Sequence, residues 1–446
     1  MLLNLKTNYS KEYKDRENMS SDSIIPSDYD IPSDYDKLKE YITSGHNIFM
    51  TGPGGVGKSY YINKLKEEMK DTITITSTTG VSSFNLKAQT IHSFSGIGAF
   101  KRGDRLEDIL KKLKKTKRMA STFLKIEQCT LLVIDEISML GQYFLEMVDS
   151  LFKKIRHNDQ PLGGLQVIFT GDFLQLPPVS DEFCFKSAVW AQLDLKTIYL
   201  TKMYRVSDPV YTKMLERIRM GKHNAEDNQI LYKRFFAYKE YKEKEEKEKE
   251  NLTSIQPTFL YSKKVNVHEK NMEELEKNPN EMLIFRSVIT DKRPDIILNK
   301  TEELLYLKSG AQVMLTVNLD CDNGLVNGSR GVITSYDTSQ QSLTVKFLNG
   351  SELSFQRHEF VYEEDGKVLY KMIQFPFILA YALSIHKVQG CTLDYAIVDI
   401  GHSVFEASMS YVALSRVRSL EGLFLEAYQP YKIFCDKEAL EFYEKL

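Results

Sequence analysis

The chain has 446 residues, 42% of them hydrophobic and 27% charged, a composition typical of a soluble protein with more than one core. Its formal net charge of −2 excludes a global field that would attract a polyanion, so any nucleic-acid surface must be a local basic patch. The five cysteines include no C-x-x-C pair and the first residues form no signal peptide, which predicts a reducing compartment: nucleus, cytoplasm or a viral equivalent. No window is apolar enough to span a membrane, so no membrane association is expected.

Residues 1–36 are rich in Ser, Asp and Tyr and contain the tandem repeat IPSDYD-IPSDYD from Ile25 to Asp36. This composition favours a flexible tail ahead of the first folded domain, because the segment has too little apolar surface to bury. A docking segment is the alternative interpretation.

Short apolar runs alternate with helical stretches from Tyr41 onward, which predicts a parallel sheet covered on both faces. The predicted strands of this first core are 47–51, 72–76, 131–135 and 166–170. A mixed-charge run at 239–250 predicts a solvated helix or loop near a domain boundary. The pattern of a second α/β core follows, with predicted strands at 257–262, 311–317, 378–384, 396–400 and 422–427. Between Gly331 and Ile373, short alternating segments with polar turns predict a small antiparallel β-barrel inserted into this second core.

The segment Gly52-Pro53-Gly54-Gly55-Val56-Gly57-Lys58-Ser59 fits the P-loop pattern G-x-x-x-x-G-K-[ST]. It follows a predicted strand and precedes a predicted helix, the context that the motif requires. Backbone N–H groups of the loop and the helix N-terminus would hold phosphate oxygens, while Lys58 would reach the β- and γ-phosphates. Ser59 would bind Mg²⁺, so the expected cofactors are ATP and Mg²⁺.

The apolar run LLVID ends in Asp135, and a second acid, Glu136, follows it directly. Asp135 would bind Mg²⁺, directly or through water, and Glu136 would orient and deprotonate the attacking water. Such a pair alone is more often a plain strand end, but beside a P-loop it predicts a hydrolytic site.

Two predicted cores with one P-loop indicate that the second core supplies cations to the nucleotide, as an arginine finger does. The candidates are Arg205 in LTKMYRVSD and Arg416 in YVALSRVRSLEGL. An arginine is more often a surface salt-bridge partner, so residue type alone does not identify Arg205 and Arg416 as arginine fingers.

An ordered set of segments resembles the Pif-type DNA helicases, which belong to the RecD-like branch of helicase superfamily one. The likeness covers about residues 44–430, and the region from Val148 to Gly164 looks like the signature segment of that family. The segments that carry it are TGPGGVGKS, STTGVSS with QTIHSF, LLVIDEISML, GGLQVIFTGDFLQLPPV, LTKMYR, GLVNGSRG, YALSIHKVQGCTLD and YVALSRVRSL.

The resemblance implies an α/β fold with two RecA-like parallel-sheet domains that form a nucleotide cleft. The first domain is predicted at 37–203 with a small wedge insertion around 95–125, and the second at 204–446 with the β-barrel insertion at about 325–375. It also implies a monomer that translocates 5′ to 3′ on single-stranded DNA and unwinds forked DNA ahead.

The same resemblance implies residue roles. Gln175 would sense the γ-phosphate, Arg205 and Arg416 would be the finger cations, and Gly390 would join the P-loop residues in binding nucleotide. The predicted DNA contacts are Thr78, Thr79, His92, His386 and Lys387, since hydroxyls and a lysine hold phosphates and flat rings stack on bases.

Alternatives remain for the nucleotide and for the function. The family's upstream Gln, which contacts adenine, has no counterpart between Ser33 and Gly45, so other nucleotides than ATP stay open. The alternative functions are a nucleotide-gated nucleic-acid-binding ATPase that does not unwind and an RNA helicase of the same superfamily.

Overall fold

A computed structural model describes residues 33–70, 72–79, 82–83, 86, 88–97, 103, 105–114, 118–247, 256–290, 301–317, 328–348, 350–364 and 367–446. Most of the tandem repeat and of the predicted tail lies outside the described residues, which take in only Ser33 to Asp36 of the repeat. Helix α1, Ser33–Thr43, begins ahead of the predicted domain boundary at residue 37, and its first turn carries Asp34 and Asp36, which suit the positive end of the helix dipole. Among the described helices, none is long and apolar enough to cross a membrane.

The first core is built on a six-stranded parallel sheet with the order β3-β2-β4-β5-β1-β6. Its strands are β1 Ile48–Thr51, β2 Ile73–Ser77, β3 Gln89–Thr90, β4 Leu131–Asp135, β5 Gln166–Gly171 and β6 Lys196–Tyr199. The accompanying helices are α2 Lys58–Glu68, α3 Ile91–Ser95, α4 Leu106–Lys114, α5 Arg118–Gln128, α6 Gln142–Arg156 and α7 Ala188–Gln192. Short 3₁₀ turns at Ile137–Met139, Pro161–Gly164 and Cys184–Lys186 complete the connections.

Register brings the functional strand ends together. Parallel pairing aligns Thr51 with Gly171 and Ser77 with Asp135, so the residues that follow β1, β2, β4 and β5 emerge at one edge of the sheet. Every residue of β1 and β4 is buried, as expected for central strands covered on both faces.

The second core is built on a four-stranded parallel sheet with the order β18-β7-β19-β20. Its strands are β7 Thr258–Tyr261, β18 Ala382–Ser384, β19 Ala396–Ile400 and β20 Leu423–Tyr428. Helices in this part of the chain are α8 Pro209–Arg219, α9 Ala225–Lys247, α10 Lys264–Lys277, α11 Met409–Leu414 and α12 Lys437–Glu444, with a 3₁₀ turn at Pro430–Lys432. Two parallel sheets confirm the predicted α/β class with two RecA-like cores.

Antiparallel strands between the parallel ones share a separate hydrophobic core that includes Phe285, Val313, Ile333, Phe360 and Phe377. They form a two-stranded sheet β10-β8, a five-stranded sheet β14-β13-β12-β11-β17 and a three-stranded sheet β15-β16-β9. The strands are β8 Leu283–Arg286, β9 Val288–Thr290, β10 Leu304–Leu307, β11 Gln312–Leu315, β12 Arg330–Asp337, β13 Ser342–Phe347, β14 Glu352–Phe355, β15 His358–Glu364, β16 Lys367–Gln374 and β17 Phe377–Leu379. The closure of these strands into a barrel and the boundaries of the predicted insertion, at about 325–375, stay predictions.

Two predicted strands of the second parallel sheet are corrected. The run at 311–317 contains β11, Gln312–Leu315, which pairs antiparallel with β12 and β17. Residues 378–384 do not form one strand, because the chain leaves the antiparallel core after β17 and enters the parallel sheet at β18. The part of 378–384 in β17 and the part in β18 are both apolar, so the hydrophobic pattern does not show where the chain passes from one core to the other.

The last helix returns to the first core. Ala439 of α12 is fully buried in that core, and Phe442 packs against Phe49, Phe173 and Phe185 with ring centroids 5.9, 5.2 and 4.5 Å apart. The sequence-based division assigned this helix to the second domain with the rest of 204–446. Its side chains instead complete the first hydrophobic core.

Candidate nucleotide and nucleic-acid site

The P-loop connects β1 to α2 in a conformation that glycine permits. Gly52, Gly55 and Gly57 have φ values of 142°, 94° and 91°, in the left-handed range that residues with a Cβ rarely adopt. A Cβ at Gly52 would also collide with the carbonyl oxygen of Leu200. The loop therefore exposes backbone N–H groups at the N-terminus of α2, which begins at Lys58.

Lys58 lies inside the loop that precedes it. Its Nζ donates to the carbonyl oxygens of Gly52 and Pro53 at 2.6 and 2.8 Å. Burial lowers the pKa of Lys58, although the nearby carboxylates of Asp172 and Glu136 oppose that shift. The ammonium group is thus held in the concave side of the P-loop, where a phosphate would meet it.

Two carboxylates stand at the end of β4. Asp135 is buried and its Oδ2 accepts a hydrogen bond from Ser82 Oγ at 2.7 Å. Burial, and then repulsion from Glu136, raises the pKa of Asp135 to about 7. Glu136 has a left-handed backbone, with φ of 55°, which turns its side chain away from the strand direction.

Asp172, at the end of β5, is the centre of a buried network that sequence reasoning did not assign. Its carboxylate accepts two bonds from Arg219, at 2.6 and 2.9 Å, and one each from Leu174 N–H and the Tyr443 hydroxyl, at 3.2 and 3.1 Å. Burial would raise the pKa of Asp172, but the Arg219 guanidinium outweighs it and the pKa lies below its ordinary value. Gln175 is anchored to this residue, since its backbone N–H donates to the Asp172 carbonyl at 2.9 Å.

The two predicted finger arginines lie beside the P-loop. A Cβ built on Gly54 would be 3.2 Å from Arg416 Nη2 and 3.5 Å from Arg205 Nη1. Ser415 holds both guanidinium groups, through its carbonyl oxygen for Arg205 at 3.0 Å and its hydroxyl for Arg416 at 2.7 Å. Burial lowers the pKa of Arg205 to about 9, with the charge of Arg416 as the second cause, and burial also lowers the pKa of Arg416. Among the described residues neither guanidinium forms an ion pair with a carboxylate, and two desolvated cations of this kind are suited to an anion.

Two further contacts join the cores at this site. The Tyr411 hydroxyl, on α11, accepts a hydrogen bond from Gly54 N–H at 2.9 Å. Gln389 Nε2 donates to Glu136 Oε2 at 3.0 Å, and a Cβ built on the neighbouring Gly390 would be 3.5 Å from Glu136 Oε1. Gly390 therefore lies beside the carboxylate of Glu136. Both segments were recognised as family motifs, but their individual contacts were not predicted.

Of the predicted DNA contacts of the first core, Thr78 lies next to Glu136, Thr79 contacts Ser82 and His92 lies on Phe144. Thr78 Oγ1 donates to the Glu136 carbonyl at 2.7 Å, and Thr79 Oγ1 accepts from Ser82 N–H at 3.1 Å. His92 packs on Phe144 with ring centroids 4.2 Å apart, and burial lowers the pKa of its imidazole.

In the second core, His386 and Lys387 follow β18 within one turn. Burial lowers the pKa of His386, and burial, followed by the positive charge of Lys264, also lowers the pKa of Lys387. The three-residue spacing from His386 to Gln389 puts a predicted DNA contact and the partner of Glu136 on one short segment.

The residues present fit ATP and Mg²⁺. Glycines at Gly54, Gly55 and Gly57 leave room at the loop, three cations (Lys58, Arg205 and the buried Arg416) lie at it, and Asp135 with the exposed Ser59 offers the oxygen ligands that Mg²⁺ prefers. In the part of the chain that the structure describes, no group of three or more His, Cys, Asp or Glu forms a metal site.

Two family models match the chain. The model of the PIF1-like helicase matches residues 35–229, and the model of the DNA helicase Pif1 2B domain matches residues 298–336. The second match overlaps the antiparallel strands β10, β11 and β12.

Curated relatives extend the likeness over most of the chain. The ATP-dependent DNA helicases PIF1 of Danio rerio and Homo sapiens are each 33% identical over 91% of this chain, which spans 62% of their length. The ATP-dependent DNA helicase Pif1 of Bdellovibrio bacteriovorus is 32% identical over 91% of this chain and 90% of its own.

Solved structures have the same topology. The Pif1 helicase of Candida albicans superposes with a TM-score of 0.80 at 30% identity, covering 93% of this chain and 99% of the other. Bacteroides Pif1 bound to single-stranded DNA superposes with a TM-score of 0.71 at 28% identity, covering 93% and 96%. The family-model matches, the 32% identity over 90% of the Bdellovibrio bacteriovorus helicase and the superposition on the Candida albicans structure agree, and the chain belongs to the PIF1-like helicase family.

Proposed function

We propose that this protein is an ATP-dependent DNA helicase that translocates 5′ to 3′ on single-stranded DNA and unwinds the duplex ahead. The observation that carries the proposal is the position of Arg205 and Arg416, which come from beyond the first core and lie beside Gly54 of the P-loop. Cations so placed allow hydrolysis only when the cores approach each other, which couples ATP turnover to domain movement. Relatives named ATP-dependent DNA helicases, and a Pif1 structure containing ADP-AlF3 and single-stranded DNA, support the same reaction and substrate.

Each group at the site has a role in this reaction. P-loop amides and Lys58 would bind phosphate oxygens, and Ser59 with Asp135 would hold Mg²⁺. Mg²⁺, when bound, neutralises negative charge on the phosphates. Glu136 would accept the proton of the attacking water, while Gln389 fixes its carboxylate at 3.0 Å.

The remaining cations and the glutamine act on the charge that develops at the γ-phosphate. Arg205 and Arg416 would stabilise it, since their desolvated guanidinium groups carry no competing carboxylate. Gln175 would contact the γ-phosphate, and the loss of this contact after hydrolysis would change the conformation of the neighbouring loop.

DNA would be gripped on two faces. Thr78, Thr79 and His92 of the first core, and His386 and Lys387 of the second, would hold the strand by phosphate contacts and ring stacking. Because Thr78 donates to the Glu136 carbonyl and Gln389 follows His386 closely, each grip is connected to the hydrolytic glutamate. Opening and closing of the cleft would then alternate the grips and move the protein along the strand.

The test is unwinding of duplexes with a single 5′ or 3′ tail in the presence of ATP and Mg²⁺. The expected result is strand separation of the 5′-tailed substrate only. DNA-stimulated ATP hydrolysis without separation of either substrate would support the alternative of a nucleotide-gated binding protein and refute the helicase assignment. An RNA-tailed duplex as the preferred substrate would refute the choice of DNA.

A further inference from the structure

The hydroxyl of Tyr443 lies between the ends of two neighbouring strands of the first sheet. It is 2.5 Å from Thr51 Oγ1, at the end of β1, and accepts a bond from Phe173 N–H at 3.2 Å, just after β5. It donates to Asp172 Oδ1 at 3.1 Å. One oxygen atom on α12 therefore contacts both strand ends.

Each strand end leads directly into catalytic machinery. Thr51 immediately precedes the P-loop, whose Gly52 carbonyl accepts a bond from Lys58. Asp172 precedes Gln175 by three residues and anchors it through a backbone bond of 2.9 Å. A group that fixes Thr51 relative to Asp172 consequently fixes Lys58 relative to Gln175.

Tyr443 is itself held in place. The Arg219 guanidinium lies over its ring, 4.8 Å from the centroid, and the same arginine forms the bidentate pair with Asp172. Burial raises the pKa of Tyr443 well above its ordinary value, so the hydroxyl keeps its proton and remains a donor at neutral pH. Its neighbour Phe442 is packed among the aromatic side chains of the first core.

We propose that Tyr443 is a positioning residue for ATP hydrolysis, whose hydroxyl fixes the P-loop root relative to the loop that carries Gln175. The inference rests on the proposed function for the reaction but requires only nucleotide hydrolysis, with or without unwinding. The residue lies outside every motif recognised in the sequence. Its helix follows all the strands of the second core along the chain and then packs against the first core.

The test compares Tyr443→Phe with Tyr428→Phe. Tyr428 is the matched control, because its hydroxyl also makes one short bond, 2.5 Å to Asn228 Oδ1, but lies in the second core. Steady-state ATP hydrolysis with single-stranded DNA gives kcat and KM, and thermal unfolding gives stability. Tyr443→Phe removes all three contacts of the hydroxyl, with Thr51, Phe173 and Asp172. Since each hydrogen bond lost can change a rate by about three- to tenfold, kcat is expected to fall at least about threefold while KM changes by less than about twofold.

The unfolding midpoints show whether Tyr443 positions the catalytic loops or only stabilises the fold. The two variants are expected to have similar unfolding midpoints, with kcat lowered only in Tyr443→Phe. An unchanged kcat in Tyr443→Phe would overturn the proposal, and so would an equal fall of kcat in both variants in parallel with their midpoints. A wild-type protein that hydrolyses ATP without unwinding DNA would refute the helicase assignment and leave this comparison valid, whereas absence of hydrolysis would refute both.

Discussion

The buried ion pair between Arg219 and Asp172 allows a quantitative prediction about stability. Both side chains are almost completely inaccessible, at 4% and 0% exposure. In Arg219→Ala the Asp172 carboxylate would lose two bonds and its directly paired charge. It would keep the Leu174 N–H, the Tyr443 hydroxyl and, at 3.5 Å, the Gln175 amide as partners, with Lys58 as a nearby cation that is not bonded to it. Breaking one side of a buried pair costs about 3–5 kcal/mol of unfolding free energy, because an uncompensated charge remains in the interior.

The cost should depend on pH in a defined direction. In the wild type the pKa of Asp172 is below its unfolded value, so its stabilisation is present above about pH 4 and is lost as the pH falls through the folded pKa. Without Arg219, burial would put that pKa above the unfolded value, which makes the charged carboxylate a penalty that protonation relieves. The difference between wild type and variant should therefore be larger at about pH 7.5 than at about pH 5.

The assay is urea unfolding followed by the fluorescence of Trp190, the one tryptophan of the chain, which stacks on Phe169 in the first core at 5.1 Å. The control is Arg217→Ala on the same helix. Arg217 forms a similar pair with Asp227, whose side chain is also buried at 0% exposure, but Arg217 itself is 35% exposed and Asp227 keeps the Asn224 N–H at 3.0 Å, so the loss of Arg217 should cost less than the loss of Arg219. Equal costs for the two variants, or a cost for Arg219→Ala that does not change with pH, would refute the reasoning.

Three further outcomes follow from the nucleotide site. Lys58→Ala should abolish ATP hydrolysis and leave the urea midpoint unchanged within error; full turnover would contradict the assignment of the P-loop. Arg416→Ala should lower kcat at least about tenfold more than it weakens nucleotide binding by equilibrium titration, since a finger acts on the transition state; equal losses would count against that role. Gly52→Ala should impair both folding yield and nucleotide binding, because a Cβ there would collide with Leu200 at a φ of 142°; a variant that binds nucleotide normally would show that the loop can relax.

Local features of the site were predictable from the sequence, and features that depend on distant packing were not. The P-loop glycines and the acids after β4 were foreseen, because a strand, a turn and a helix start are encoded within a few adjacent residues. Arg205 and Arg416 needed the family resemblance, since an arginine alone has no signature of burial. Asp172 was visible as an acid that ends a strand, but its partner Arg219 lies in a helix whose sequence is that of an ordinary amphipathic segment.

The same limit explains the differences in the fold. The run at 378–384 is apolar throughout, and a strand that changes cores in its middle has the same pattern as one that does not. The last helix has apolar residues at helical spacing, which predicts burial but not the core that receives it. Tyr443 is consequently placed at the nucleotide site by tertiary packing alone.

The return of α12 to the first sheet also determines the order of events during synthesis. Domains generally fold as units while the chain emerges, and the N-terminal one is usually complete first. Here Ala439 and the aromatic ring of Phe442 belong to the core that contains Phe49, so that core lacks part of its packing until the ribosome has passed the entire second core. The candidate nucleotide site therefore acquires its final architecture only when translation has reached residue 443, and a nascent chain that stops earlier would carry a P-loop on an incomplete first core.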